Sequence, residues 1–135
     1  MGTTTIVFRL LPGTRAAVGR SGNHSVIADR PDGMFGGMGL GFNGGELLAL
    51  AIGGCFCNDM QAIAHEMGLA IVDLRVNVSV DFAGAPVRAR EASMKVECSL
   101  ADGADPSELI ERAKVDTTIG NSLRDGIPLE ISKDR

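Results

Sequence analysis

From Val72 to Phe82 the chain alternates without a break. Val72, Leu74, Val76, Val78, Val80 and Phe82 fall on one parity, and Asp73, Arg75, Asn77, Ser79 and Asp81 on the other. A period of two is that of a strand with one face buried, so residues 71–82 are expected to form a half-buried antiparallel strand. Gly84-Ala85-Pro86 turns the chain, and residues 87–100 read as the partner strand. There Met94, Val96, Cys98 and Leu100 share one face and Lys95 and Glu97 the other. Residues 3–10 and 24–29 are further strand candidates, closed by Pro12-Gly13 and by Arg30-Pro31-Asp32-Gly33.

Two stretches lose the period of two. Residues 46–67 are rich in helix formers and end at Gly68, where a C-capping glycine belongs. Apolar residues surround nearly the whole first half of this helix, a pattern of burial on most sides that hints at a second subunit covering part of it. Residues 104–123 form the second helix candidate, with Asp105 as N-cap, Pro106 at the first position and Glu108 at the third. It is expected to end near Arg124, before Gly126, and residues 127–131 supply a short last strand. Between the second strand and the first helix, seven of the thirteen residues 33–45 are glycine, which fits a closely packed loop. The loop has no Lys-Ser/Thr of a phosphate-binding loop and no trustworthy dinucleotide fingerprint. The order β-β-α-β-β-α-β with long hairpins is α+β, within a single domain spanning residues 1–135.

Composition narrows the function classes. With 135 residues, 44% of them hydrophobic and no Trp or Tyr, the chain can bury a largely aliphatic core. A net charge of −4 gives no electrostatic basis for nucleic-acid binding. No apolar run approaches a membrane span, and the N-terminus lacks a secretory pattern, so a cytoplasmic protein without membrane partners is expected. Three cysteines without a secretion signal are expected to be free thiols.

Two of them, Cys55 and Cys57, lie within the first helix. Helical positions two apart diverge by about 200°, so these thiols cannot bond to one another or chelate a metal jointly. No His/Cys cluster completes a zinc site. Cys98 falls on the apolar face of its strand, the place of a small core residue. Cys55 shares a helix face with Leu48, Ala51, Ile52, Asp59 and Ala62. It follows Gly53-Gly54, a pair that disfavours the helix interior by about 1 kcal/mol per glycine and lets something approach the backbone beside it. Cys55 is thus either a reactive thiol or a packed small side chain. Cys57, with Gly53 and Gln61 on its face, has nothing to activate it.

Residues 44–82, with a Glu-Leu-Leu opening, Gly-Cys, and Gly68-Leu69 leading into Asp73-Leu74-Arg75-Val76, resemble the helix–strand core of the OsmC/Ohr family of organic-hydroperoxide reductases. Residues 24–33 with the glycine-rich loop, and residues 121–131, fit the same pattern. The resemblance implies an intertwined homodimer, with bent antiparallel sheets wrapped around two long central helices. It also implies a peroxidatic cysteine, activated by an arginine and a glutamate, that is oxidised to sulfenic acid and resolved by a second cysteine. Only the thiolate is nucleophilic, and a guanidinium favours it. On this chain the peroxidatic position is Cys55. Glu46, at or one residue from the family's glutamate, would hold the arginine, although an ideal helix sets it about 180° from Cys55. Arg20 in Gly19-Arg20-Ser21-Gly22 matches the family's arginine, with Arg15 as the alternative. Met34, Phe35, Met38 and Phe42 would line an apolar peroxide pocket.

The resolving position is the departure. The family pattern of the last helix reads Thr117-Thr118-Ile119-Gly120-Asn121-Ser122-Leu123 here, so a threonine stands where the second cysteine belongs. A hydroxyl cannot close a disulfide. The expected activity is therefore a one-cysteine reduction of organic hydroperoxides, using an external thiol or dithiol and no bound cofactor. The alternative is a non-peroxidatic dimer of the same fold that binds a small apolar or thiol-containing ligand.

Overall fold

The computed structural model describes residues 2–134. Its elements run β1 (Val7–Leu10), β2 (Ala17–Ser21), β3 (His24–Ala28), α1 (Gly44–Glu66), β4 (Ile71–Ala83), β5 (Arg88–Leu100), α2 (Ser107–Asp116) and α3 (Thr118–Asp125). The class is α+β with antiparallel sheets, as the sequence implies. The chain forms two compact units, one up to Leu48 and one from Ala49 onward, with the boundary inside α1.

In the first unit β1, β2 and β3 form an antiparallel meander, with Phe8 opposite Gly19 and Ser21 opposite His24. Strand β2 was not expected from the sequence, since Gly19 and Arg20 dilute its strand propensity. Two features secure it. The two-residue turn Gly22-Asn23 joins it to β3, with Gly22 at a φ of 58° that glycine adopts without strain. The Phe8 ring covers buried Gly19, where a Cβ would stand 2.6 Å from Phe8 Cε1. The first strand is shorter than expected, starting at Val7 rather than residue 3.

The glycine-rich segment is a loop as far as Asn43, and Gly44-Gly45 already belong to α1. Asp29 organises it. Its buried carboxylate accepts the backbone N–H groups of Arg30 (2.8 Å), Met38 (3.1 Å) and Leu40 (3.0 Å). These bonds, the one from Leu40 foremost, hold the carboxyl below the usual aspartate range, against the opposing effect of partial burial. Phe42 returns beside β3, donating to Ile27 O and accepting from Asp29 N, each at 2.9 Å.

In the second unit one stripe of α1, comprising Phe56, Met60, Ile63 and Ala64, packs with Leu100 of β5 and Leu109 and Ala113 of α2. Leu74, Val76, Met94, Val96 and Cys98 from the β4–β5 hairpin close around it. Burial on most sides of α1 is not met within the chain: Leu50, Ala51 and Gly54 are exposed. By length and composition α1 would suffice to cross a membrane, and of its residues Phe56, Met60, Ile63 and Ala64 lie in this core. After Glu66, the N–H of Leu69 returns to Ala64 O (2.8 Å) with Gly68 at φ 69°, the expected glycine C-terminus.

The β4–β5 hairpin keeps the expected alternation over Leu74, Val76, Val78 and Val80. It fails at both ends. Ile71 pairs with Leu100 and Asp73 with Ser99, so Val72 is an extra residue in a bulge and is 66% exposed. A second irregularity between Asp81 and Phe82 leaves Phe82 exposed as well.

The expected single helix over 104–123 is two helices. Pro106 rather than Asp105 is the N-cap residue of α2, and Asp105 Oδ1 instead accepts the Ser107 N–H (3.0 Å) and hydroxyl (2.7 Å). The break falls at Thr117, whose backbone is extended (φ −60°, ψ 110°). Thr117 N still bonds Ala113 O at 3.0 Å, and its carbonyl starts α3 by accepting Asn121 N at 2.9 Å. The β-branched Thr117-Thr118-Ile119 run is a poor helix interior, which makes the break inexpensive. Residues 127–131 form no strand: among the described residues nothing pairs with them, and Ile127, Leu129 and Ile131 lie largely in solvent.

Candidate functional site

Cys55 stands half-buried on α1, one position before buried Phe56. Four residues on, Asp59 shares its face, and the Cys55 thiol donates to Asp59 Oδ2 at 3.6 Å. The third member comes from the far end of the chain. Thr117, 1% exposed in the α2–α3 break, directs its hydroxyl to Cys55 Sγ at 3.8 Å. Gly120 makes room for it, since a Cβ there would lie 2.6 Å from Thr117 Cγ2. The sulfur therefore donates its hydrogen to a carboxylate while accepting one from a hydroxyl, the full use of a thiol's modest hydrogen-bonding capacity.

The other two cysteines have different surroundings. Cys57 is half-buried, about 200° around the helix from Cys55. Cys98 packs against the core of the second unit, and burial, with the nearby Asp73 charge second, pushes its thiol pKa up. All three are free thiols.

The remaining candidates belong to residues 1–48. Arg20 is exposed on β2, with Val7 and Ser25 as its cross-strand neighbours. The Arg15 side chain lies over Gly36. Glu46 has a place in local structure: its Oε1 accepts Asn43 N–H at 3.0 Å, while Asn43 Oδ1 accepts Glu46 N–H at 2.9 Å. That reciprocal pair is a capping box with Asn43 at the N-cap, and it sets where α1 begins. Met34, Phe35, Met38 and Phe42 are exposed on the glycine-rich loop. Phe35 is the one described non-glycine residue at positive φ (51°), and the Arg30 guanidinium stands 5.2 Å from its ring centroid.

Sequence reasoning had named Asp59 only as a neighbour on the Cys55 face and had given it no role. The spacing of four was the available signal. Thr117 entered through the resemblance alone, and its hydrogen bond to Cys55 spans 62 positions.

A family model for OsmC-like proteins matches residues 37–132, a range that includes Cys55, Asp59 and Thr117. The chain belongs to the OsmC-like family. Solved structures of the family share its fold. An OsmC-like protein from Mycoplasma pneumoniae superposes with a TM-score of 0.75 at 18% identity, over 91% of this chain and 88% of that one. A putative osmotic stress induced and detoxification response protein from Psychrobacter arcticus gives 0.72 at 20% identity, over 90% and 89%. An organic hydroperoxide resistance protein OsmC from Legionella pneumophila gives 0.63 at 17% identity, over 92% of each chain. No curated protein matches the chain.

Proposed function

We propose that this OsmC-like protein is a thiol peroxidase that reduces organic hydroperoxides through Cys55, in a one-cysteine cycle completed by an external thiol or dithiol. The observation that carries this reading is the hydroxyl of Thr117 lying 3.8 Å from Cys55 Sγ. The partner of the reactive thiol is in place, but it is an alcohol. Relatives in fold described as organic hydroperoxide resistance proteins, from Legionella pneumophila and Vibrio cholerae, support the substrate class.

In the cycle, the Cys55 sulfur attacks the terminal oxygen of the hydroperoxide and the O–O bond breaks. The sulfur is oxidised to sulfenic acid and the peroxide is reduced to the alcohol. A thiol then displaces hydroxide from the sulfenic acid, which leaves as water and forms a mixed disulfide. A second thiol equivalent releases Cys55 and carries away the external disulfide. The family resemblance implies that Arg20 would favour the thiolate and that Glu46, which in the structure caps α1, would hold that arginine, with Met34, Phe35, Met38 and Phe42 admitting apolar peroxides. A homodimer would cover the exposed Leu50 side of α1.

A second reading is favoured by Thr117. Its hydroxyl stands where a resolving sulfur belongs and cannot close a disulfide with Cys55, which suits a protein that binds a small apolar or thiol-containing ligand without turnover. The relative from Vibrio cholerae, 18% identical with a TM-score of 0.59 over 92% of this chain and 87% of that one, holds a molecule of captopril in one of its active sites.

Trapping sulfenic acid with a dimedone-type probe separates the two. Cumene hydroperoxide should label Cys55 rapidly and faster than hydrogen peroxide does, and Cys55→Ser should abolish the label. Labelling no faster than that of a free thiol would sink the peroxidase reading in favour of ligand binding.

A further inference from the structure

In the peroxidase reading, on which this inference rests, the sulfur must lose a proton and the departing alkoxide must gain one. We infer that Asp59 performs both transfers, as the proton acceptor and donor for Cys55, with Thr117 steadying the sulfur. Asp59 Oδ2 is 3.6 Å from the reacting atom and is the acceptor of its hydrogen. That is the geometry general acid–base catalysis requires before pKa enters the question.

Among the described residues Asp59 has neither a cap nor an ion pair to serve. Aspartate is a weak residue for a helix interior, and position 59 lies deep inside the 23-residue α1, away from both ends. Among the described residues the ion pairs are Glu66–Arg112 and Glu111–Lys114, so Asp59 balances no cation. Among the described residues its side chain is hydrogen-bonded to the thiol alone. It is half-buried, so solvent and substrate can reach it. Thr117 supplies the complementary half. Its buried hydroxyl donates to the same sulfur. That hydrogen bond strengthens as negative charge develops there, in the manner of any charge-assisted bond.

The step balances. The Cys55 S–H proton passes to Asp59 Oδ2 as the sulfur bonds to the terminal peroxide oxygen. The O–O bond breaks with its electron pair on the alkoxide. The protonated Asp59 then returns its proton to the alkoxide, which leaves as the alcohol, and Cys55 becomes a sulfenic acid.

The test uses the full chain and cumene hydroperoxide, following sulfenic acid formation at Cys55. Asp59→Asn should slow oxidation at least about tenfold, and Asp59→Glu should recover part of the rate. The wild type should slow in heavy water about twofold, and Asp59→Asn should show no such slowing, a difference that a purely structural role would not produce. Should Asp59→Asn fold poorly, Asp59→Glu and the wild-type isotope effect still decide. A fast wild type with Asp59→Asn equally fast, or with no isotope effect, overturns the relay and leaves the peroxidase reading standing. A wild type no faster than a free thiol overturns both.

Discussion

Thr117 Oγ1 and Cys55 Sγ are hydrogen-bonded at 3.8 Å, a threonine from the break between two helices meeting a cysteine on a third. The contact places a second sulfur within reach of the first if the hydroxyl is exchanged for one. Thr117→Cys should form a disulfide with Cys55 under mild oxidation, visible as a cross-linked peptide pair by non-reducing mass spectrometry. Thr117→Val should leave Cys55 free and lower stability by about 1 kcal/mol, the usual net worth of a hydrogen bond.

Gly53 and Gly54 predict opposite effects of the same substitution. A Cβ on Gly53 would stand 2.8 Å from Val78 Cγ2, so Gly53→Ala must displace the Val78 side chain and should destabilise by about 1–3 kcal/mol. A Cβ on Gly54 meets nothing within 4 Å, and Gly54→Ala should stabilise the helix by about 0.5–1 kcal/mol. Urea midpoints of the two variants decide.

The Asp29 carboxyl is held below its usual range by the N–H groups of Leu40, Met38 and Arg30, with Leu40 the largest contributor. Its stabilisation is complete above the unfolded-state pKa of about 3.9. It is lost as pH falls through the lower folded value, because the unfolded chain then binds more protons. Asp105, lowered chiefly by the Ser107 hydroxyl, acts in the same direction. Unfolding midpoints between pH 7 and pH 2.5 should fall steeply on the acid side for the wild type, and less steeply for Asp29→Asn, which should also start lower.

Cys98, whose pKa is raised first by burial and then by Asp73, should be alkylated more slowly than a free thiol at pH 8. Iodoacetamide time courses read peptide by peptide would show this. Denaturant should remove the protection.

The sequence was most legible where one period ran long enough to leave a single solution. The β4–β5 hairpin and α1 follow from the alternation of Leu74 to Val80 and from the run that ends at Gly68. The bulge at Val72 was hidden because a period of two carries no sign of where a strand gains a residue. Strand β2 was missed because its stability lies across the sheet, in the Phe8 ring over Gly19 and in the Gly22-Asn23 turn, rather than in its own composition. At the candidate site, Cys55 and Asp59 were readable as helix neighbours. Nothing local to Thr117 says that its hydroxyl meets a sulfur, because tertiary packing alone makes that contact. The last apolar stretch, from Ile127 to Ile131, has the pattern of a strand but no partner within the chain to make it one.

Asp29 gathers the amides of residues 30, 38 and 40 onto one carboxylate, so the intervening segment is fastened at its base like a clasped ring. What the ring displays at its outer rim is Met34 and Phe35, both exposed. A lineage can vary the side chains at 34 and 35 while the scaffold keeps its register, whereas Gly36 beneath Arg15 and Gly37 against the Arg30 backbone leave no room for one. The same clasp offers an engineer a ready socket for grafting a foreign recognition loop.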